Sequence, residues 1–159
     1  MMKNIRRSCE TMACTLLCLG PFTVALLFAV AASSAQAPQH GVVRPLTEVK
    51  LAEDGKPECL VDALENGDPD TGPSTFIMKA TEGCAVPAHY HTAEEQLIVV
   101  RGEVLTGMEG MSEGTLGPGG FAMMPGKAVH WFTCKSKDGC LMFVTFDRKY
   151  DIVWVKEKK

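Results

Sequence analysis

Basic side chains never gather into a patch in this chain of 159 residues, and its few aromatic residues are not interleaved with basic ones. A nucleic-acid partner is therefore not expected. There is no glycine-rich phosphate loop, no dinucleotide fingerprint and no nucleophile triad, so nucleotide chemistry and covalent acyl transfer find no support. No C-x2-C pair occurs, which excludes the usual thiolate zinc site. Internal repeats and low-complexity tracts are absent, and beyond residue 37 no stretch keeps a helical period for long. Histidine is scarce: there are four, at 40, 89, 91 and 130.

The start of the chain reads as a targeting segment. Lys3, Arg6 and Arg7 make it basic, residues 16–32 are apolar apart from Gly20-Pro21, and Ser33-Ser34-Ala35-Gln36-Ala37 offers small residues for a signal peptidase. Cleavage is expected after Ala37, making 1–37 a signal peptide and the protein secreted or periplasmic. An uncleaved anchor would need about 20 apolar residues, and this run is shorter. Cys14 precedes the apolar run and Cys18 lies near its start, so neither follows it, which argues against a lipoprotein. Residues 38–159 keep thirteen basic and eighteen acidic side chains, a formal charge of −5, and suffice for one domain with a core. No membrane segment is expected after cleavage.

Export changes how the seven cysteines read. Cys9, Cys14 and Cys18 leave with the leader, while Cys59, Cys84, Cys134 and Cys140 meet an oxidising compartment. Cys134 and Cys140 flank a polar loop ending in Asp138-Gly139, so a staple across a hairpin tip is expected there. Cys59 with Cys84 is the pairing left over. Cleavage after Ala37 would also expose Pro38-Gln39-His40, whose amine, backbone nitrogens and histidine could form a square-planar Cu(II) or Ni(II) set. The plainer reading is a chain end whose histidine is idle.

Residues 38–58 read as an N-terminal arm with one short strand around Glu48 to Leu51. From 59 to 156 short apolar runs alternate with turn signals: 59–64, 75–80, 96–101, 104–108, 120–124, 130–134, 141–146 and 152–155. The breaks hold Asn66-Gly67-Asp68-Pro69-Asp70, Gly72-Pro73, residues 107–114, Gly117-Pro118-Gly119-Gly120 and Pro125-Gly126. Many short strands with glycine and proline between them imply an all-β sandwich or barrel.

Two segments carry the chemistry. In the first, Gly83, His89, His91, Glu95 and Gly102 fill every fixed position of G(X)5HXH(X)3E(X)6G. Positions i, i+2 and i+6 of one extended strand share a face, so His89, His91 and Glu95 are expected on one side, with Glu94 turned away. In the second, Gly119, Pro125 and His130 fit G(X)5PXG(X)2H(X)3N, with Lys127 in the second glycine's slot beside Gly126 and Cys134 in place of asparagine. Together the segments resemble the paired motifs of the cupin superfamily, in particular its small single-domain members. The resemblance covers roughly residues 59–155 and implies a single jelly-roll barrel. It makes His89, His91, Glu95 and His130 ligands of one divalent transition metal. A mixed nitrogen and oxygen set of this kind suits Fe, Mn, Zn, Ni or Cu. It also implies a homodimer.

Ala93, Leu97 and Val99 continue the parity of the first ligands, and Phe132 and Cys134 that of His130, so these should fill the barrel. Arg101 has inward parity but lies about 20 Å along the strand from Glu95, too far to serve a substrate at the metal. Lys127 is the nearest candidate cation, although a turn lysine is ordinarily solvated. Trp131 has outward parity and is a candidate for a subunit interface. Beyond the ligands no catalytic acid or base can be named. The resemblance implies an exported metal-dependent oxygenase or dioxygenase acting on a small organic molecule, with isomerase chemistry also found among cupins. The competing reading is a non-catalytic module that binds or senses a metal or small ligand. Fold alone does not separate the two.

Overall fold

A computed structural model of the chain describes residues 41–52 and 57–156. The expected leader, the expected cleavage site and Pro38-Gln39-His40 lie outside the described residues. Among the described residues no helix is long and apolar enough to cross a membrane.

Ten strands form two five-stranded sheets that face each other. They are β1 (Leu60–Gly67), β2 (Ser74–Ala80), β3 (Ala85–Tyr90), β4 (Glu95–Arg101), β5 (Val104–Met108), β6 (Gly114–Leu116), β7 (Phe121–Met124), β8 (His130–Cys134), β9 (Cys140–Phe146) and β10 (Val153–Trp154). The first sheet runs β1-β2-β9-β4-β7 and the second β10-β3-β8-β5-β6. The pairings are antiparallel throughout. This is the all-β jelly-roll architecture expected from the strand and turn pattern.

Period-two alternation decides which side chains meet between the sheets. On β4, Glu95, Leu97 and Val99 are buried while Gln96, Ile98 and Val100 are exposed. On β8, His130, Phe132 and Cys134 are buried. The inward set joins Val86, Val104, Met142 and Val144 in one core, with Ala93 beside it. The expected filling residues are therefore all in place.

Four features depart from the sequence reading. The arm has no strand at Glu48 to Leu51; Pro45 leads into a 3-10 turn at Leu46–Glu48, and the arm meets the sheet through a bridge from Ala52 to Asp62 and an Arg44–Glu65 ion pair at 2.7 Å. Proline fixes φ near the turn value and lacks the N–H a ladder needs. A short strand, β6, lies just beyond the glycine-rich break and pairs with β5. Arg101 is exposed, because an irregularity in the β4–β9 register between Val99 and Arg101 ends the inward alternation. Finally, the segment holding His89, His91 and Glu95 is two strands, not one. β3 ends at Tyr90 in the second sheet, and β4 begins at Glu95 in the first.

Both disulfides form, Cys59–Cys84 and Cys134–Cys140, with Cα separations of 5.4 and 5.8 Å. They fit a protein of an oxidising, non-cytoplasmic compartment.

Candidate metal centre

Two rows of paired residues face each other across the sandwich. In the first sheet, register places Ser74, Phe146, Glu95 and Met124 side by side on β2, β9, β4 and β7. In the second, Trp154, His89, His130 and Met108 line up on β10, β3, β8 and β5. His91 sits in the link that carries the chain from one sheet to the other. Glu95 thus meets the histidines from the opposite sheet, and not along one strand as its spacing suggested.

His89, His91, Glu95 and His130 are all buried, and one ligand atom of each lies within 4.8 Å of the others. No other such cluster exists among the described residues. Each imidazole is oriented through Nδ1, which meets a backbone carbonyl: Pro87 for His89 at 2.7 Å, Ala128 for His130 at 2.8 Å, and Asp151 for His91. A carbonyl only accepts, so each Nδ1 carries the proton and donates it. Nε2 is thereby left as the basic nitrogen facing the cluster. This outer support is what metal-binding histidines ordinarily have. Glu95 Oε2 lies 3.1 Å from Nε2 of both His91 and His130.

The charges follow from burial and pairing. Burial drives the His89 imidazole down to about 4, with the neighbouring His130 and His91 opposing its charged form as well. Burial also opposes ionisation of Glu95, but the Nε2 contacts of His130 and His91, which donate when those nitrogens take up a proton, and the positive charge that comes with it outweigh burial and hold the carboxyl at about 2. For His130, burial works against the charged form, yet the bond and charge of Glu95 prevail and raise its pKa. Without an ion, Glu95 is anionic and His130 is held towards its protonated form beside it.

Glu94 is half-buried and accepts from the exposed Gln96 at 2.9 Å, so it takes no part in the cluster. Lys127 is exposed in the turn before β8, and its N–H donates to the His91 carbonyl at 2.7 Å. Trp131 packs over Gly107, where an added Cβ would meet its ring at 2.6 Å, and donates to Glu113 at 2.7 Å. It is thus engaged within its own chain. Sequence reasoning missed Tyr150. Its ring stands 5.3 Å from His91 and 4.8 Å from Phe146, and burial, followed by the charge of Glu95, pushes its phenol up to about 12. The phenol therefore stays a donor at neutral pH. No spacing from the ligands points to it, because it reaches the site through a loop after β9. Ser74 was missed too; it is buried, and its Oγ is the sole buried side-chain polar atom without a partner among the described residues.

Residues 51–149 match the family described as the ChrR cupin-like domain. The chain belongs to that family. Among solved structures, this cupin is similar to the polyketide cyclase RemF from Streptomyces resistomycificus (19% identity, 76% of this chain and 89% of that one, TM-score 0.62). It is also similar to KdgF from Halomonas sp. (18%, 66% and 94%, 0.56) and to the DMSP lyase DddQ from Ruegeria pomeroyi DSS-3 (20%, 74% and 62%, 0.57). At these identities the likeness shows the cupin fold alone. No curated protein matches the sequence.

Proposed function

We propose that this cupin holds one divalent transition-metal ion on Nε2 of His89, His91 and His130 and on the Glu95 carboxylate, and acts as an oxygenase-type enzyme on a small organic substrate. The observation that carries the reading is the shared arrangement of the three imidazoles, each with Nδ1 spent on a main-chain carbonyl and Nε2 free at the same carboxylate. Such an ion would supply Lewis-acid or redox chemistry, and four protein ligands on an octahedral ion leave two positions for substrate or dioxygen. Among the candidates Fe, Mn, Zn, Ni and Cu, the open positions favour iron or manganese. The neutral Tyr150 phenol beside His91 provides a hydrogen-bond donor at the edge of the site, and the buried aromatic and aliphatic wall excludes bulk water. Proteins sharing the fold include an oxalate oxidase, a lyase and a cyclase, so the scaffold carries several enzyme chemistries. We place the protein outside the cytoplasm, secreted or periplasmic, as the two disulfides favour. A homodimer is part of the proposal, and the registered outer row Phe143, Ile98 and Phe121 gives the first sheet an exposed apolar face.

Metal analysis of natively exported protein, followed by oxygen uptake with a panel of small organic acids, tests this. One equivalent of iron or manganese, exchangeable water and substrate-dependent uptake are expected. His89→Ala and His130→Ala should each lose metal at least 100-fold in affinity, whereas Glu94→Ala should bind normally. Four-coordinate zinc without exchangeable water or turnover would favour the non-catalytic binding module instead, and full metal content in His130→Ala would overturn the ligand set.

A further inference from the structure

The two facing rows end differently on their two sides. On one side Glu95 and His89 are followed by Phe146 and Trp154, with the His89 and Trp154 rings 5.3 Å apart. On the other, Glu95 is followed by Met124 and His130 by Met108. Beyond these two methionines a cleft of about 260 Å3 lies along the β5–β6 hairpin and β7, lined also by Met111, Leu116, Phe121 and Ala122. Its walls are mostly apolar. Nothing in the metal cluster itself lines it; Met108 and Met124 stand between.

We propose that this cleft holds the ring of a small aromatic carboxylic acid whose carboxylate reaches the metal past Met108 and Met124. The inference rests on the metal reading above. Volume sets the size: a dry cavity of about 150 Å3 accepts benzene, so this one takes a single substituted ring. Lining sets the type, because unbranched thioether side chains contact aromatic rings favourably and change rotamer at low cost. That flexibility lets Met108 and Met124 move aside without moving a strand. Charge sets the head group. A divalent ion with one carboxylate and three neutral imidazoles carries a net positive charge, which an anionic oxygen donor neutralises.

Zinc-loaded protein with 13C-labelled methionine methyls is titrated with salicylate, hexanoate and acetate. Salicylate should shift the methyls of Met108, Met111 and Met124 and leave those of Met78 and Met142 in place. Ala122→Leu, which fills the cleft, and Met111→Glu, an exposed substitution that spares the fold, should each weaken salicylate at least tenfold. Acetate, which needs only the ion, should change less than threefold in both. The proposal is overturned if salicylate leaves the cleft methyls still or binds both variants as it binds the parent. Tighter binding of hexanoate than of salicylate would overturn the aromatic assignment. Failure to bind zinc at all would sink the metal reading separately. Toluene added to the metal-free protein then tests the cleft on its own: shifts at the same three methyls support it, and their absence refutes it.

Discussion

The two ends of β8 and β9 perform the same mechanical task by different chemistry. At one end His130 and Phe146 lie in the layer of the buried histidine and carboxylate cluster; at the other, Cys134 and Cys140 are joined covalently. Cys134 belongs to the second sheet and Cys140 to the first, and Cys59–Cys84 likewise ties the residue before β1 to the residue before β3. Both staples therefore clamp sheet to sheet. At the opposite end the sheets meet through Glu95 facing His89 and His130, polar groups whose burial is costly unless they are paired. A covalently closed end lets the other end give its interior to a polar cluster.

Opening the staples should produce the largest change in stability. Replacing Cys59 and Cys84 by serine frees a loop with a sequence separation of 25, which costs about 3.5 kcal/mol on the loop-closure model. The same change at Cys134 and Cys140, separated by 6, costs about 2.4 kcal/mol. Denaturant unfolding measures both. Metal affinity should stay within a few-fold of the parent in each variant, since neither bridge touches the cluster. A tenfold loss of metal on opening a staple would show that the two ends are coupled and the division of labour is wrong.

Acid separates the ends next, because disulfides do not titrate and the cluster does. In the metal-free protein the His89 pKa is depressed to about 4 from an ordinary 6.5. Between those values the unfolded chain binds the proton and the folded one does not, so stability falls as pH drops from 6.5 towards 4, by at most about 3 kcal/mol. His130 acts in the opposite sense. Its raised pKa adds stability below 6.5 that is lost as pH rises through the folded value. Glu95, depressed to about 2, adds stability above its ordinary 4.5 that disappears as pH falls towards 2. Urea midpoints across pH 4 to 9 should show the His89 slope in metal-free protein and lose it in His89→Gln. A slope of the same size in that variant would assign it elsewhere.

How far the sequence foretold this differs between the ends. That His89, His91 and Glu95 come together was legible, because the spacing of Gly83, His89, His91, Glu95 and Gly102 records the fold of the whole segment, including its turns. The three residues do not share one strand, however: β3 ends at Tyr90 and β4 begins at Glu95. Thr92-Ala93-Glu94 lies outside the strands and takes the chain between sheets, and parity survived the crossing because both sheets face inward to one layer. Arg101 shows parity failing, since an irregular register is a matter of pairing with β9 and leaves no trace in composition. Tyr150 was hidden for a similar reason: its N–H is held by the Pro69 carbonyl from the turn before β2, a tertiary contact between distant segments. At the stapled end, local polarity between Cys134 and Cys140 sufficed for one bridge, and the other followed by remainder.

The smallest predicted effect concerns glycine, which the two ends use unequally. Gly102 and Gly139, beside the staple, have φ of 86° and 76°, and an added Cβ at either would lie 2.5 or 2.6 Å from a backbone oxygen. Alanine there meets both a strained backbone and an immovable atom. At the cluster end the corresponding tight turn, before His130, places Lys127 at φ 68°, the only non-glycine with positive φ among the described residues. The slot is the one the cupin motif fills with glycine, and the positive φ supplies the reason. Its neighbour Gly126 is needed for another purpose: a Cβ there would come within 2.6 Å of the Thr92 carbonyl oxygen. A lysine in the left-handed region costs about 1 to 2 kcal/mol; glycine would relieve that strain, but its freer unfolded chain would offset the gain by about 0.5 to 1 kcal/mol. Lys127→Gly should therefore stabilise the metal-free protein by about 0.5 to 1 kcal/mol and keep the N–H bond to His91, whereas Gly139→Ala should destabilise it by more than that. Thermal unfolding of the two variants is the measurement. If Lys127→Gly lowered stability, the lysine side chain would be holding the turn through contacts of its own, and this turn would have to be counted with the metal layer it supports.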